Sequence, residues 1–141
     1  MDFFDTLVRY ETALWNRLDD ALHRSGAASL ATVTALRAVR RHDGTCRVQD
    51  LRAELGITVG AASKLVDRLE RDGLALRRPH PTDRRSSLVA LTESGISALA
   101  TGTELLGREL DDHLRDEPDL AAATQTLRRL DARLRIVEPV R

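Results

Sequence analysis

The chain has 141 residues, 42% of them hydrophobic and 31% charged, and its 22 basic and 22 acidic side chains cancel. That length suits one domain with a packed core, no stretch reaches the ~20 apolar residues of a membrane span, and the acidic start Met1-Asp2-Phe3-Phe4-Asp5 is unlike a signal peptide. The lone Cys46 excludes an internal disulfide, so a reducing, cytoplasmic setting is expected.

In chain order, residues 3–24 read as a helix. Phe4, Leu7, Val8, Leu14, Trp15, Leu18, Ala21 and Leu22 repeat at three-four spacing and make one stripe. All four aromatics, Phe3, Phe4, Tyr10 and Trp15, lie here. Ser25-Gly26 ends the helix. A second helix, about 29–41, carries Leu30, Val33, Leu36 and Val39, and His42-Asp43-Gly44 reads as a turn. Residues 48–55 form a short helix with Val48, Leu51 and Leu55 inward, broken by Gly56. Ile57 is expected as a buried plug and Thr58 as the N-cap of a helix over 59–72, with Ala62, Leu65, Val66 and Leu69 inside and Gly73 closing it. Residues 74–78 and 87–91 read as strands of a hairpin. Pro79 and Pro81 stiffen its loop and Thr82-Asp83 suits its tip. Thr92 is the expected N-cap of a long helix striped by Leu99, Leu106, Leu110 and Leu114, which Asp116-Glu117-Pro118 breaks. A last helix, about 118–137, repeats Leu120, Leu127, Leu130, Leu134 and Val137. The expected fold is mainly α with a small β-hairpin wing: a winged helix-turn-helix flanked by N- and C-terminal dimerisation helices.

Charge is unevenly spread. Residues 47–92 hold nine basic and six acidic side chains, whereas residues 93–141 hold seven and ten. A basic middle suggests an anionic partner. A short helix, a glycine turn and a longer helix form a helix-turn-helix, and the second helix needs a face for a DNA groove. Gly60 and Ala61 are small enough for close approach to base edges, and Ala61 suits a thymine methyl group. Thr58 and Ser63 offer hydroxyls, and Lys64 and Arg68 reach phosphates or guanines. The competing reading is a solvated charged face, favoured by Glu70 and Asp72 beside Arg68 and Arg71. The hairpin adds separate weight. Arg77, Arg78, Arg84 and Arg85 crowd nine residues whose only acid is Asp83, with His80 among them. Like charges so packed repel unless something anionic is present, and an arginine at a wing tip suits a narrow minor groove.

The segment VGAASKLVDRLERDGLALRRPHPTDRRSSLVALTESG, residues 59–95, resembles the recognition helix and wing of the MarR family of bacterial regulators. Asp83-Arg84-Arg85 followed by Leu91-Thr92 and Gly95 carries most of the resemblance. Leu65-Val66-Asp67-Arg68-Leu69-Glu70 before Asp72-Gly73-Leu74 carries the rest. The resemblance implies one domain over 1–141, with residues 1–28 and 93–141 supplying dimerisation helices and 29–92 the DNA-binding lobe. It implies a helix 59–72 in the major groove and a wing shaped by Asp83 and Arg85, with Arg84 or Arg85 in the minor groove. It further implies a homodimer on double-stranded DNA at a palindromic operator, repression, and release by a small anionic or phenolic effector. The first and last helices independently carry apolar stripes too wide for one small lobe to cover, which also points to a two-fold partner.

Nothing in the sequence supports catalysis, a resident cofactor or a metal centre. There is no nucleophile motif, phosphate-binding glycine loop or paired-histidine signature. Cys46-Arg47-Val48-Gln49-Asp50-Leu51 faintly matches a metal-sensor motif but has Val48 where a second thiolate would stand, and His23, His42, His80 and His113 are far apart. The resemblance further implies an effector pocket between dimerisation helices and DNA-binding lobe, which would draw on Trp15, Leu18, His23, Arg37 and Arg40. Two alternatives to a DNA-binding regulator are a winged-helix protein-interaction module without DNA binding and a metal or thiol sensor on the same fold.

Overall fold

The computed structural model describes residues 1–83 and 86–136. Arg84, Arg85 and Val137 therefore lie outside the described residues. The elements are α1 (Asp2–Arg24), α2 (Leu30–Arg41), β1 (Cys46–Arg47), α3 (Val48–Leu55), α4 (Val59–Arg71), β2 (Ala75–Pro79), β3 (Ser87–Leu91), α5 (Glu93–Leu114) and α6 (Leu120–Ile136). The expected class, helices with a small β-wing, is the observed one. The chain divides into two compact units, Met1–Glu109 and Leu110–Arg141.

In the first unit, α1 buries only the end of its stripe. Leu18, Ala21 and Leu22 are inside, whereas Phe3, Phe4, Val8, Tyr10 and Trp15 are exposed. Asp19 of α1 caps α2, its Oδ1 accepting from the Leu30 N–H at 2.7 Å. Helix α2 is the central element: Val33, Ala35, Leu36, Ala38 and Val39 are fully buried or nearly so. Leu36 and Val39 join Leu51, Val66, Leu69, Val89 and Cys46 in one core. Burying such a side chain stabilises the fold by about 1.5–3 kcal/mol. Aliphatic side chains alone fill this core, with Cys46 as its one sulfur.

The three strands form an antiparallel sheet in the order β1-β3-β2. Cys46 pairs with Val89, and Arg77 pairs with Val89 from the other side. Strand β2 runs one residue beyond the expected end, through Pro79. It is an edge strand, so the missing proline N–H leaves no ladder bond unmade. Leu74 stands outside the strand because its backbone is committed elsewhere. Its N–H donates to Leu69 O at 2.9 Å, and its carbonyl accepts from the Thr92 N–H at 3.1 Å. The first of these bonds, with Gly73 N–H donating to Glu70 O at 3.0 Å, ends α4 in a motif that needs a left-handed residue, and Gly73 supplies it at φ +71°.

Helix α5 is locked to the lobe at two glycines. Thr92 Oγ1 donates to Gly73 O at 2.7 Å and accepts from Gly95 N–H at 3.0 Å, so one hydroxyl caps α5 and ties it to the end of α4. A Cβ on Gly95 would lie 1.9 Å from Leu74 O, and one on Gly102 would lie 2.5 Å from Val33 Cγ2. The second unit contains the end of α5 and the amphipathic α6, whose Leu127, Leu130 and Leu134 are exposed. Among the described residues no helix is long and apolar enough to cross a membrane.

Candidate nucleic-acid interface

Helices α3 and α4 meet through Gly56, which ends α3 in the left-handed conformation at φ +63°. Thr58 starts α4 by accepting the Ala61 N–H on its hydroxyl at 3.2 Å. That leaves the hydroxyl hydrogen free to donate. The Val59 and Gly60 amides, in the first turn, have no partner among the described residues. The α4 N-terminus thus presents donors and a partial positive charge to its surroundings.

The inner face of α4 is Ala62, Val66 and Leu69, all fully buried, while Gly60, Ala61, Lys64, Asp67, Arg68 and Arg71 are exposed and Ser63 is half-buried. A Cβ on Gly60 would meet nothing within 4 Å. No neighbour among the described residues therefore requires glycine there, and the position is open to solvent.

The carboxylates of α4 decide which cations remain. Arg77 of β2 donates through Nη2 to Asp67 Oδ1 at 2.6 Å, and its other terminal nitrogen pairs with Glu70. The Arg77 N–H also donates to Glu70 Oε1 at 2.7 Å. Burial opposes the Arg77 charge, yet the two carboxylates outweigh it and raise its pKa. Arg71 pairs with Asp72 at 3.6 Å. Lys64 and Arg68 have no ion-pair partner among the described residues. Arg71 thus has a carboxylate partner and Arg68 has none among the described residues, because Glu70 has turned to Arg77.

The remaining expected contacts lie on the hairpin. Arg78 is exposed on β2, and Asp83 is exposed at the tip. Arg77, grouped with them from sequence, is turned inward with its side chain 29% accessible and serves as a strut between wing and helix. His80 stands among the hairpin arginines in the sequence. Its Nδ1 accepts from the Asp83 N–H at 3.1 Å and the Thr82 N–H at 3.3 Å, while its Nε2 lies 2.7 Å from Arg47 Nη2. A neutral imidazole accepts through one nitrogen only, so the ring fixes either the loop amides or Arg47. Nothing in the sequence marks Arg47 as a neighbour of His80, and its position follows from the pairing of β1 with β3.

Cys46 is fully buried. Burial, reinforced by Asp50 and Glu54, pushes its thiol up to about 12, so it stays protonated at neutral pH. Of the side chains expected around an effector pocket, Trp15 lines a cleft against α2 and α4. Leu18 is buried, His23 is exposed and Arg37 is half-buried. Arg40 lines a smaller hollow with Asp43, Arg78 and Ile96.

Residues 29–86, from the N-cap of α2 to the residue before β3, match the model of the MarR family. The HTH-type transcriptional regulator MhqR of Bacillus subtilis is 25% identical over 132 residues, covering 92% of this chain and 90% of that protein. A crystal structure of a mutant MarR from Escherichia coli complexed with operator DNA is 25% identical, with a TM-score of 0.71 over 95% of this chain and 94% of that one. CouR from Rhodococcus jostii, crystallised with p-coumaroyl-CoA, shares the fold at a TM-score of 0.82 and 21% identity, over 99% and 96% of the two chains. The family model matches the winged-helix segment and these relatives are similar over nearly the full length, so the chain resembles the MarR family of winged helix-turn-helix regulators.

Proposed function

We propose that this chain is a dimeric, sequence-specific DNA-binding transcriptional regulator, a repressor released by a small anionic or phenolic effector and working in the cytoplasm. The observation that carries the reading is the exposed face of α4. Small residues at its start, Gly60 and Ala61, stand beside two cations, Lys64 and Arg68, that no carboxylate of the helix engages. In this reading α4 enters the major groove. Thr58 and Ser63 donate to phosphate or base, and Lys64 and Arg68 bind phosphates or guanines. Arg78, with Arg84 and Arg85 beyond the described residues, reaches the adjacent backbone or minor groove. Asp83 shapes the tip. Arg77 acts through Asp67 and Glu70 by holding the wing against the helix.

The dimer is supported by the apolar faces that each unit leaves open. Phe3, Phe4 and Val8 of α1 are 63%, 59% and 45% accessible, and Leu134 of α6 is 73% accessible. Exposed apolar area of this kind marks an interaction surface, and a two-fold partner is the economical cover. The layout proposed is thus dimerisation helices in residues 1–28 and 93–141 around a DNA-binding lobe in 29–92. The related MarR mutant complexed with operator DNA and the p-coumaroyl-CoA complex of CouR support the DNA and effector parts respectively.

A protein-interaction module would replace the α4 face with acidic or apolar groups. The one acid at its centre, Asp67, is instead held by Arg77. A thiol sensor needs an accessible thiolate, and Cys46 is neither accessible nor ionised. The direct test is purified protein on duplex DNA from upstream of its own gene. Binding that exceeds a scrambled duplex and weakens steeply with salt supports the reading. Equal, salt-insensitive affinity for both duplexes contradicts it.

A further inference from the structure

Arg47 ends β1 and His80 follows β2, and the two side chains meet over the start of β3, where Leu88 pairs with Arg47 and Ser87 with Pro79. His80 Nδ1 accepts from the Asp83 N–H at 3.1 Å and the Thr82 N–H at 3.3 Å, and His80 Nε2 lies 2.7 Å from Arg47 Nη2. The ring thus has donors on both sides, and a neutral imidazole has one lone pair and one N–H to offer them. The two loop amides are held in place by the turn, whereas the Arg47 side chain is exposed and can swing to water. The proton accordingly belongs on Nε2. Nε2–H and the guanidinium then aim two donors into one short gap. Beside them opens a groove of about 530 Å³, lined among others by Gln49, Asp50, Asp83 and Ser86. Asp50 is committed to the backbone, its Oδ2 accepting the Arg47 N–H at 2.7 Å. Asp83 adds a second carboxylate to the groove. An anion is therefore disfavoured on the groove floor and favoured at its rim, where Arg47 meets His80.

We propose that Arg47 and His80 form a clamp for one phosphodiester of a DNA backbone, joining the wing to the start of α3. A phosphate oxygen accepts from Nε2–H and from the guanidinium at once, which turns a donor–donor contact into two charge-assisted hydrogen bonds. Nδ1 keeps the loop amides meanwhile, so the clamp closes on a turn that is already ordered. Backbone rather than base edge is the ligand because both residues lie outside α4, on segments that flank it in the chain. Contacts of that kind fix orientation on the duplex and read no sequence. This clamp rests on the reading that α4 and the wing face DNA, and it adds a neutral histidine of defined tautomer to the cations of that surface.

The test is affinity for a duplex from upstream of the protein's own gene, measured over a range of salt. Arg47→Gln should weaken binding about tenfold at low salt and lower the slope of log affinity against log salt by about 0.9, one phosphate contact. Arg47→Lys should keep the slope, because a point charge still neutralises the phosphate. His80→Asn still offers the loop a short acceptor but no donor in reach of the phosphate. It should weaken binding severalfold with the slope unchanged, because a neutral ring releases no counterion. In nitrogen spectra of the DNA complex the His80 ring, identified by its loss in His80→Asn, should carry its proton on Nε2. A proton on Nδ1 in the complex removes His80 from the clamp. Wild-type slope and affinity in Arg47→Gln, on a duplex that the wild type binds, overturn the clamp and leave the regulator reading intact. Inorganic phosphate that displaces the duplex from wild type and not from Arg47→Gln, at equal ionic strength, makes the pair a site for free phosphate and overturns DNA as its ligand. A wild-type protein that binds no duplex refutes the regulator reading and the clamp with it.

Discussion

Arg77 on the first wing strand donates to Asp67 on α4 at 2.6 Å, and the same guanidinium pairs with Glu70 one turn further on. One cation thus bridges two helix acids, a cluster of net charge −1, and ties the wing to the helix. Arg78, the next residue, faces outward and is exposed. Adjacent arginines therefore have separable roles. Arg77→Ala should cost about 1–3 kcal/mol of stability, because it strands a half-buried carboxylate, and should weaken DNA binding with little change in its salt dependence. Arg78→Ala should leave the denaturant midpoint unchanged and lower the slope of log affinity against log salt by about 0.9, one phosphate contact. Denaturant melts and binding at several salt concentrations separate the two. A smaller salt slope in Arg77→Ala would place that side chain on phosphate after all.

The two close-approach glycines of α5 should respond unequally to alanine. At Gly95 the added carbon would meet the rigid Leu74 carbonyl at 1.9 Å, whereas at Gly102 it would meet a Val33 methyl at 2.5 Å. A methyl group can swing aside and a backbone carbonyl held by Thr92 cannot. Gly102→Ala should cost about 1–3 kcal/mol, the usual range for overpacking, and Gly95→Ala should cost more. Equal melting temperatures for the two variants would show that the start of α5 gives way more easily than its packing implies.

The short elements of the lobe were readable from the sequence because their limits are written in local chemistry. Gly56, Thr58 and Gly73 mark the ends of α3 and α4, and three-four spacing marks the buried face. Strand β1 was not readable. Cys46 and Arg47 form a strand only because β3 lies beside them, and two residues carry no period. The role of Arg77 was hidden for a similar reason. In the sequence it is one of four arginines near a turn, and only the fold brings it to acids seven and ten residues earlier. The cleft was partly visible through Trp15, and Ile57, expected as a buried plug, is half-buried because it lines that cleft. Lys64 and Arg68 could be read toward DNA from helix periodicity, but their shared place beside that tryptophan depends on how α4 meets α1.

Gly60 separates folding from function. None of the described residues lies within 4 Å of a Cβ built there, and alanine favours helix over glycine by up to ~1 kcal/mol. Gly60→Ala should therefore raise stability by a few tenths to about 1 kcal/mol while weakening DNA binding through the added methyl. Chemical denaturation and DNA titration of the same preparation check both halves. Unchanged DNA affinity would remove Gly60 from the interface.

The thiol of Cys46 leaves a signature at alkaline pH. Its pKa is raised by burial, then by Asp50 and Glu54, from 9.0 to about 12. Below pH 9 folded and unfolded chains both keep the proton. Between the two values only the unfolded chain loses it, so stability falls as pH rises, by up to about 1.4 kcal/mol per unit. Wild-type protein should lose stability relative to Cys46→Ala between pH 9 and 11, with a constant difference below pH 8. Parallel stability curves across that range would show that the thiol ionises as readily in the fold as outside it.

The central claim is that α4 and the wing read DNA as one half of a two-fold assembly. The most direct measurement is selection of bound sequences from a pool of random duplexes by the purified protein. The account predicts enrichment of a pseudo-palindrome with half-sites about one turn, ~10 base pairs, apart, and loss of that enrichment in Lys64→Ala with Arg68→Ala. A selected pool indistinguishable from the starting one, at salt low enough for phosphate contacts to persist, would contradict it.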